Sequence, residues 1–501
     1  MSRLLTPATR YDYVPTWDRC HMASVTPAQG RVTMAAPPHR RTSGRARRRS
    51  RPRPRPRSRR SLAAAAAATG MLTLAACGGV TFADEPDTFT TMGFTAGDAL
   101  SAVRMELATA ALDPLDVQVN QGAFDEQQFL SSVAADDPPD AVRMDRALIG
   151  GYAARGALVP LTDCLDDQGV DPADYRAGAI DEATLDGTVF GLPDSYDTRL
   201  LLVDQDVLAE AGDGRREVDT SDWDGLARLA DDLHTRDGGL LTRIGFDPKI
   251  PEFFPLWVEA NGGSLISDDG RTARLDSPEV VEALEYTVGL IDAQGGWGRF
   301  KSLRDSFDQF GAENQIAQGQ IGAYPMEDWY INVLAGASPD VPLGTEPFLG
   351  RDGRPINFVS GASWAIPKGS AHPDEACEFI TTMTAAESWI EAATAKAGEI
   401  RDAGSPYIGD FTGNVEADRV IREEIWEPTG SAAFDEASLL IDAVQDASFS
   451  VPANGAGTEF RRAWQSAVNQ VLSGDKEPRE ALEEAQDRAQ TALDLAYQGE
   501  R

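Results

Sequence analysis

The chain has 501 residues, with 46 Lys and Arg against 80 Asp and Glu and a formal charge of −34. The first 76 residues hold 16 Arg and 2 Asp with no Lys or Glu, which leaves 30 basic and 78 acidic residues, a formal −48, from residue 77 onward. Such an acidic surface repels phosphate backbones and excludes a nucleic-acid partner. With only His234 and His372 beyond residue 76 and no Cys-x-x-Cys pair, zinc sites and Ser–His or Cys–His catalysis are poorly supplied.

In chain order, the arginine-proline run Arg47-Arg48-Arg49 through Arg57 cannot pack, because like charges repel and proline breaks regular elements. Residues 62–76 then carry no charge; this is the length of a secretory apolar segment and too short for a membrane-spanning helix. The ending Leu74-Ala75-Ala76-Cys77 resembles the bacterial lipobox, which implies that Cys77 is acylated and becomes the new N-terminus. Residues 1–76 are therefore read as an N-terminal extension and lipoprotein signal peptide, and 77–86 as a tether. Ser58-Arg59-Arg60-Ser61-Leu62 resembles a twin-arginine export motif, and the general secretory route stays open beside it. Met34 is a start better placed for an ordinary signal peptide. No later apolar run is long enough to span a bilayer.

The remainder suits two or three domains by length. Thr88–Phe94 reads as a strand, Asp98 as the cap of a helix over 99–112, and 115–119 as a second strand. A helix over 124–135, a short strand at 140–143 and a helix ending at Gly156 follow. This βαβαβ order predicts a parallel sheet with helices on both faces, and ligands on such sheets bind at the strands' carboxyl ends. That points to Phe94-Thr95, Asn120-Gln121-Gly122 and Met144-Asp145. A strand at 200–203 leads into a capped helix, and Asp222-Trp223 opens another. At the C-terminus, 458–472 and 478–497 carry apolar residues at helical spacing: Ala463, Val468 and Val471, then Ala481, Leu482, Ala485, Ala489 and Leu493.

The succession Gly156-Ala157-Leu158-Val159-Pro160-Leu161-Thr162-Asp163, Gly187-Thr188-Val189-Phe190-Gly191-Leu192-Pro193, Leu201-Leu202-Val203-Asp204-Gln205-Asp206-Val207-Leu208, Trp257-Val258-Glu259-Ala260-Asn261-Gly262-Gly263, Gly319-Gln320-Ile321-Gly322-Ala323-Tyr324 and Gly361-Ala362-Ser363-Trp364-Ala365-Ile366-Pro367-Lys368 resembles the extracellular solute-binding proteins of family 1. These are sugar-binding subunits of ABC importers, similar in layout to maltose-binding protein. The likeness runs over roughly residues 88–497. It implies an α/β, two-lobe periplasmic-binding-protein-like fold of type II, with a hinge and an interlobe cleft. Lobe 1 would be 87–194 with 363–405, and lobe 2 would be 196–362 with 406–497. Cys164 and Cys377 then share a lobe, and a disulfide between them becomes a possibility.

A sugar needs aromatic rings for its flat CH faces, and carboxylates, amides and Arg for its hydroxyls. The resemblance singles out Trp329 for stacking, with Glu327 and Asp328 as ligand contacts or as helix caps. Ser363 and Trp364 sit where the family crosses between lobes, and serve either the ligand or strand packing. Asp194 and Tyr196 lie at the first crossing, where Arg199 has Asp197 in reach as a partner. Asp145 follows the third strand as a ligand contact or an N-cap. Phe254 stands for one aromatic of the pair Phe253-Phe254, and Asn120 and Phe124 complete the set.

The expected function is a lipid-anchored receptor on the outer face of the cytoplasmic membrane. It would be monomeric, non-enzymatic and cofactor-free, capturing a carbohydrate by hinge closure for an ABC permease. The alternative is a same-fold receptor for a polyamine or a phosphorylated polyol. Few Arg or Lys among the candidates disfavour an anion, while the carboxylates leave a cation open.

Overall fold

The computed structural model describes residues 87–212 and 217–498; the signal peptide, Cys77 and the tether lie outside the described residues. Fourteen strands follow in chain order among them. They are β1 (Thr88–Phe94), β2 (Asp116–Gln121), β3 (Ala141–Asp145), β4 (Thr184–Leu185), β5 (Thr188–Val189), β6 (Leu192–Pro193) and β7 (Arg199–Asp204). After these come β8 (Thr235–Asp237), β9 (Leu240–Phe246), β10 (Ile321–Glu327), β11 (Leu343–Glu346), β12 (Asn357–Phe358), β13 (Ala362–Ala365) and β14 (Ser448–Phe449).

Two five-stranded sheets form, one per lobe, in the orders β2-β1-β3-β13-β6 and β11-β7-β10-β9-β8. In the first, β1 runs parallel to β2 and β3, while β13 runs antiparallel to β3 and β6. The chain leaves the first sheet after β6 and enters the second as β7; it returns through β12 into β13. The two crossing segments pair with each other, with Asp197 N donating to Ser360 O at 3.0 Å and Ser360 N to Asp197 O at 3.2 Å. This is the two-lobe α/β architecture expected from the motif order.

The helices start where local chemistry allows. Asp98 accepts from Ser101 N at 2.9 Å to cap Ala99–Ala111, and Asp125 accepts from Gln128 N at 2.8 Å to cap Glu126–Ala134. Every residue of β1 is buried, as a central strand covered on both faces requires. Its Phe89 and Phe94 join one apolar cluster with Met105, Trp364, Phe379 and Ile380. Met92 turns the other way and joins Val142, Met144, Ile149 and Tyr152. One face of the sheet is thus covered by Ala99–Ala111 and Pro373–Thr384, with Ala386–Asp402 packed on both of these helices.

Cys164 and Cys377 are disulfide-bonded, with Cα atoms 5.7 Å apart, joining helix Thr162–Gln168 to Pro373–Thr384 across 213 residues. The C-terminal helices Thr458–Leu472 and Pro478–Ala496 carry all eight predicted apolar positions into the core of the second lobe. The chain beyond residue 405, expected with the second lobe, divides its contacts. Ile408 belongs to the second core, whereas Tyr407, Ile421 and Ile425 pack with Ala393 and Ala397 of the first lobe's last helix. Arg176 Nε donates to Asp418 Oδ2 at 2.7 Å and fixes this return.

Candidate functional site

The lobes face each other where β1, β3 and β6 end and where β7 begins beside the end of β10. Antiparallel register sets Arg199 directly opposite Glu327. Arg199 Nη2 donates to Glu327 Oε1 at 2.8 Å and to Ser360 Oγ at 2.7 Å, while Nη1 donates to the backbone carbonyl of Asp197 at 2.8 Å. The second Glu327 oxygen accepts from Trp329 Nε1 at 2.8 Å. Trp329 is half-buried, and the ring of Phe310, 38 % exposed, stacks on it at 6.2 Å and 11°. Glu327 and Trp329 thereby form one rigid unit with an aromatic wall beside a charged acceptor.

Two more carboxyls complete this face. Asp328 is buried, and its Oδ1 accepts from Thr198 N at 3.2 Å. Burial, with the neighbouring Asp197, pushes its carboxyl well above the usual range. It ties the crossing segment to the start of the helix Trp329–Ala337. Asp197 is half-buried, and no donor reaches its carboxylate among the described residues. Burial, then the charge of Glu327, raises it to about 6 against the pull of Arg199, Arg146 and Arg143.

On the first-lobe face the outcome differs from expectation. Asp194 is buried and saturated: it accepts from Arg104 Nη1 at 2.7 Å, from Trp364 Nε1 at 3.0 Å and from Arg143 Nε. Burial alone would raise its pKa, but the two arginine charges outweigh that and hold it below the usual carboxylate range. Trp364 is fully buried, its ring between Phe94 at 5.5 Å and Phe379 at 5.2 Å. Strand alternation in β13 turns it onto the helix-covered face, where its rings pack on protein. Ser363, on the opposite face, is equally buried. Tyr196 packs with Ala179 and Val359 between the guanidinium groups of Arg146 and Arg176. Phe254 lies in the second core against Trp464; its neighbour Phe253, also buried, sits under Arg199 at 4.9 Å. Asp194, Tyr196, Ser363 and Trp364 are therefore all buried within protein at the crossings, and Phe254 builds the core of the second lobe.

Asp145 is half-buried and performs the cap that was its alternative role, accepting from Ala147 N at 3.0 Å. Its other oxygen accepts from Arg461 Nη1 at 2.6 Å, an ion pair from the first sheet to the C-terminal helix Thr458–Leu472 of the second lobe. The lobes touch beside it: a Cβ on Gly150 would lie 2.7 Å from Asn454 O. Phe124 packs on Phe129 at 5.3 Å and Tyr152 at 6.0 Å, and Asn120 is half-exposed at the end of β2. Sequence reasoning passed over Arg143, Asp197, Phe310 and Arg461 as site residues. A signal existed for Arg143, a lone charge between the apolar Val142 and Met144 of β3. Phe310 and Arg461 carry none in the local pattern.

Among the described residues, no group of His, Cys, Asp or Glu is placed to hold a metal ion, and no helix is long and apolar enough to cross a membrane.

A family described as bacterial extracellular solute-binding protein matches residues 107–400, more than half of the chain. The chain is 23% identical over 271 residues to a lactose-binding protein of Rhizobium radiobacter, covering 52% of this chain and 60% of that protein. It thus spans about three fifths of the length of this curated relative. Among solved structures, CpMnBP1 with mannotriose bound superposes with a TM-score of 0.66 at 23% identity, over 80% of this chain and 99% of that one. A substrate-binding protein of Listeria monocytogenes in complex with cycloalternan gives 0.63 at 21% identity, over 81% and 98%.

Proposed function

We propose, for a chain that belongs to the bacterial extracellular solute-binding protein family, that it captures a carbohydrate between its lobes and hands it to an ABC permease. The observation that carries this reading is the junction cluster of Asp197, Arg199, Glu327, Trp329 and Phe310. It sets charged acceptors beside stacked, accessible rings, which is what a hydroxyl fringe and a flat CH face require. Ligand contacts on both sides of the paired crossing segments favour the closed arrangement by their differential affinity. The protein binds its ligand and does not transform it.

The relatives point the same way by what their names say they bind: lactose in one case, mannotriose and cycloalternan in the solved complexes. In this reading Cys77 carries the acyl anchor, the receptor stands as a monomer on the outer face of the cytoplasmic membrane, and the hinge divides 87–194 and 363–405 from 196–362 and 406–497. A polyamine is a poorer fit, because Glu327 already pairs with Arg199 and Asp328 is buried, where desolvation disfavours its charged form. The test is thermal unfolding of the purified protein against mono- and oligosaccharides, polyamines and phosphorylated polyols. A saccharide at 100 times its dissociation constant should stabilise by about 2.7 kcal/mol. A shift with one saccharide series supports the reading; silence across sugars with a response to a polyamine or phosphopolyol overturns it.

A further inference from the structure

Arg143 stands opposite Trp364 in the ladder between β3 and β13, so its side chain leaves the sheet on the face that carries Trp364 and Asp194. Its Nε is engaged by Asp194, its guanidinium lies 5.8 Å from the ring centre of Phe94, and its side chain is 28 % exposed. The two Nη groups meet no acceptor among the described residues, although a guanidinium carries five donors in a rigid fork. Charge balance does not explain the residue either. Asp194 is already neutralised by the buried Arg104, so the cluster keeps one positive charge in excess. Asp197 follows three residues after the Asp194 that engages Arg143, on the same crossing segment, and its carboxylate likewise has no donor among the described residues.

We propose that Arg143 is a ligand-contacting, specificity-determining residue whose outward Nη edge donates to a sugar hydroxyl, while Asp197 across the junction accepts from a hydroxyl of the same ligand. Asp194, Arg104 and Trp364 are positioning residues: they hold Nε so that the fork presents its other edge to the cleft. The inference rests on the carbohydrate reading above and narrows it. The ligand carries hydroxyls spaced to bridge a donor and an acceptor, and a cationic solute would meet a repelling charge.

The test compares Arg143→Met and Arg143→Lys with the unaltered protein, by calorimetric titration with the saccharide that stabilises it most and with single deoxy analogues of that sugar. Arg143→Met should bind at least tenfold more weakly and lose discrimination against one deoxy position. Its unliganded unfolding temperature should fall far less than that of an Asp194→Ala variant, because Arg104 still pairs with Asp194. Arg143→Lys should recover only part, because an ammonium is a single point charge without the fork. Since Lys keeps the stem and the charge, it also carries the comparison if the Met variant folds poorly. Unaltered affinity and discrimination in both variants, or a drop in unfolding temperature with unchanged affinity, would overturn the proposal and leave the carbohydrate reading intact. A protein that answers polyamines and no saccharide overturns both.

Discussion

Asp194 and Asp197 lie three residues apart on the same crossing segment, and the fold gives them opposite tasks. Asp194 is sunk in the first lobe, satisfied by two arginines and an indole, and held ionised. Asp197 stands at the junction with no donor on its carboxylate, beside Glu327, and titrates near 6. Within the first lobe's polar cluster Asp194 is finished and only the outer edge of Arg143 stays open, whereas in the second lobe Glu327, Trp329 and Phe310 are joined by one hydrogen bond and one ring stack, with Phe310 still exposed. A buried group whose partners are complete can hold a hinge, but only an unfinished one can bind a ligand.

The strongest way to break this contrast is Asp194→Ala. It strands Arg104 and Arg143 without their shared anion and should cost about 3–5 kcal/mol, read by chemical denaturation. Because Asp194 titrates below its usual range, its contribution is present at neutral pH and is lost as acid takes the solution below its unfolded value. Removal of the first lobe's other fastening, by Cys164→Ala with Cys377→Ala, should cost about 2–5 kcal/mol. Ligand affinity should hold wherever the protein stays folded. Trp364→Phe keeps the ring but removes the indole donor to Asp194, and should cost about 1–3 kcal/mol, with a smaller loss of ligand affinity than Arg143→Met because Arg104 still holds Asp194 in place.

Changes on the open side should behave in reverse. Trp329→Ala should leave the unfolding midpoint almost in place and weaken saccharide binding by about 1 kcal/mol or more, roughly five- to tenfold. The smallest effect sharpens the contrast most. Asp197 is raised in the folded protein, so its ionised form is disfavoured, and that cost appears as pH rises toward 6 and is complete above it. Asp197→Asn should therefore be slightly more stable at neutral pH. In the unaltered protein, saccharide affinity should fall as pH drops through about 6, where the acceptor takes up a proton. The Asn variant should show no such step, and a step that persists would assign the titration to another group.

Part of the candidate site's framework could be read before any fold was known. The placement of Glu327 and Trp329 at a strand end and a helix start was legible in the local pattern, and the register of β10 on β7 then joins Glu327 to Arg199. Of the two roles open to Trp364 and Ser363 in the sequence, ligand contact or strand packing, both take the packing role, and Tyr196 is buried with them. Each lies at a crossing, and nothing local tells which face of the sheet a crossing residue takes. Phe254 and Phe253 show the same limit at single-residue scale, since a helix start turns both rings inward and only the second lobe's core decides what each one meets.

By itself the sequence determined the elements and their order: the caps at Asp98 and Asp125, the alternation in β1, and the apolar stripes of the two C-terminal helices. All of these follow from dihedral preferences and burial periodicity within a few residues. Only the tertiary structure decided which charges are finished and which are open. Arg104 finds Asp194 across 90 residues, Arg461 finds Asp145 across 316, and Cys377 finds Cys164 across 213. The strength of each contact depends on desolvation by surroundings assembled from the whole chain, and no window of the sequence contains that quantity.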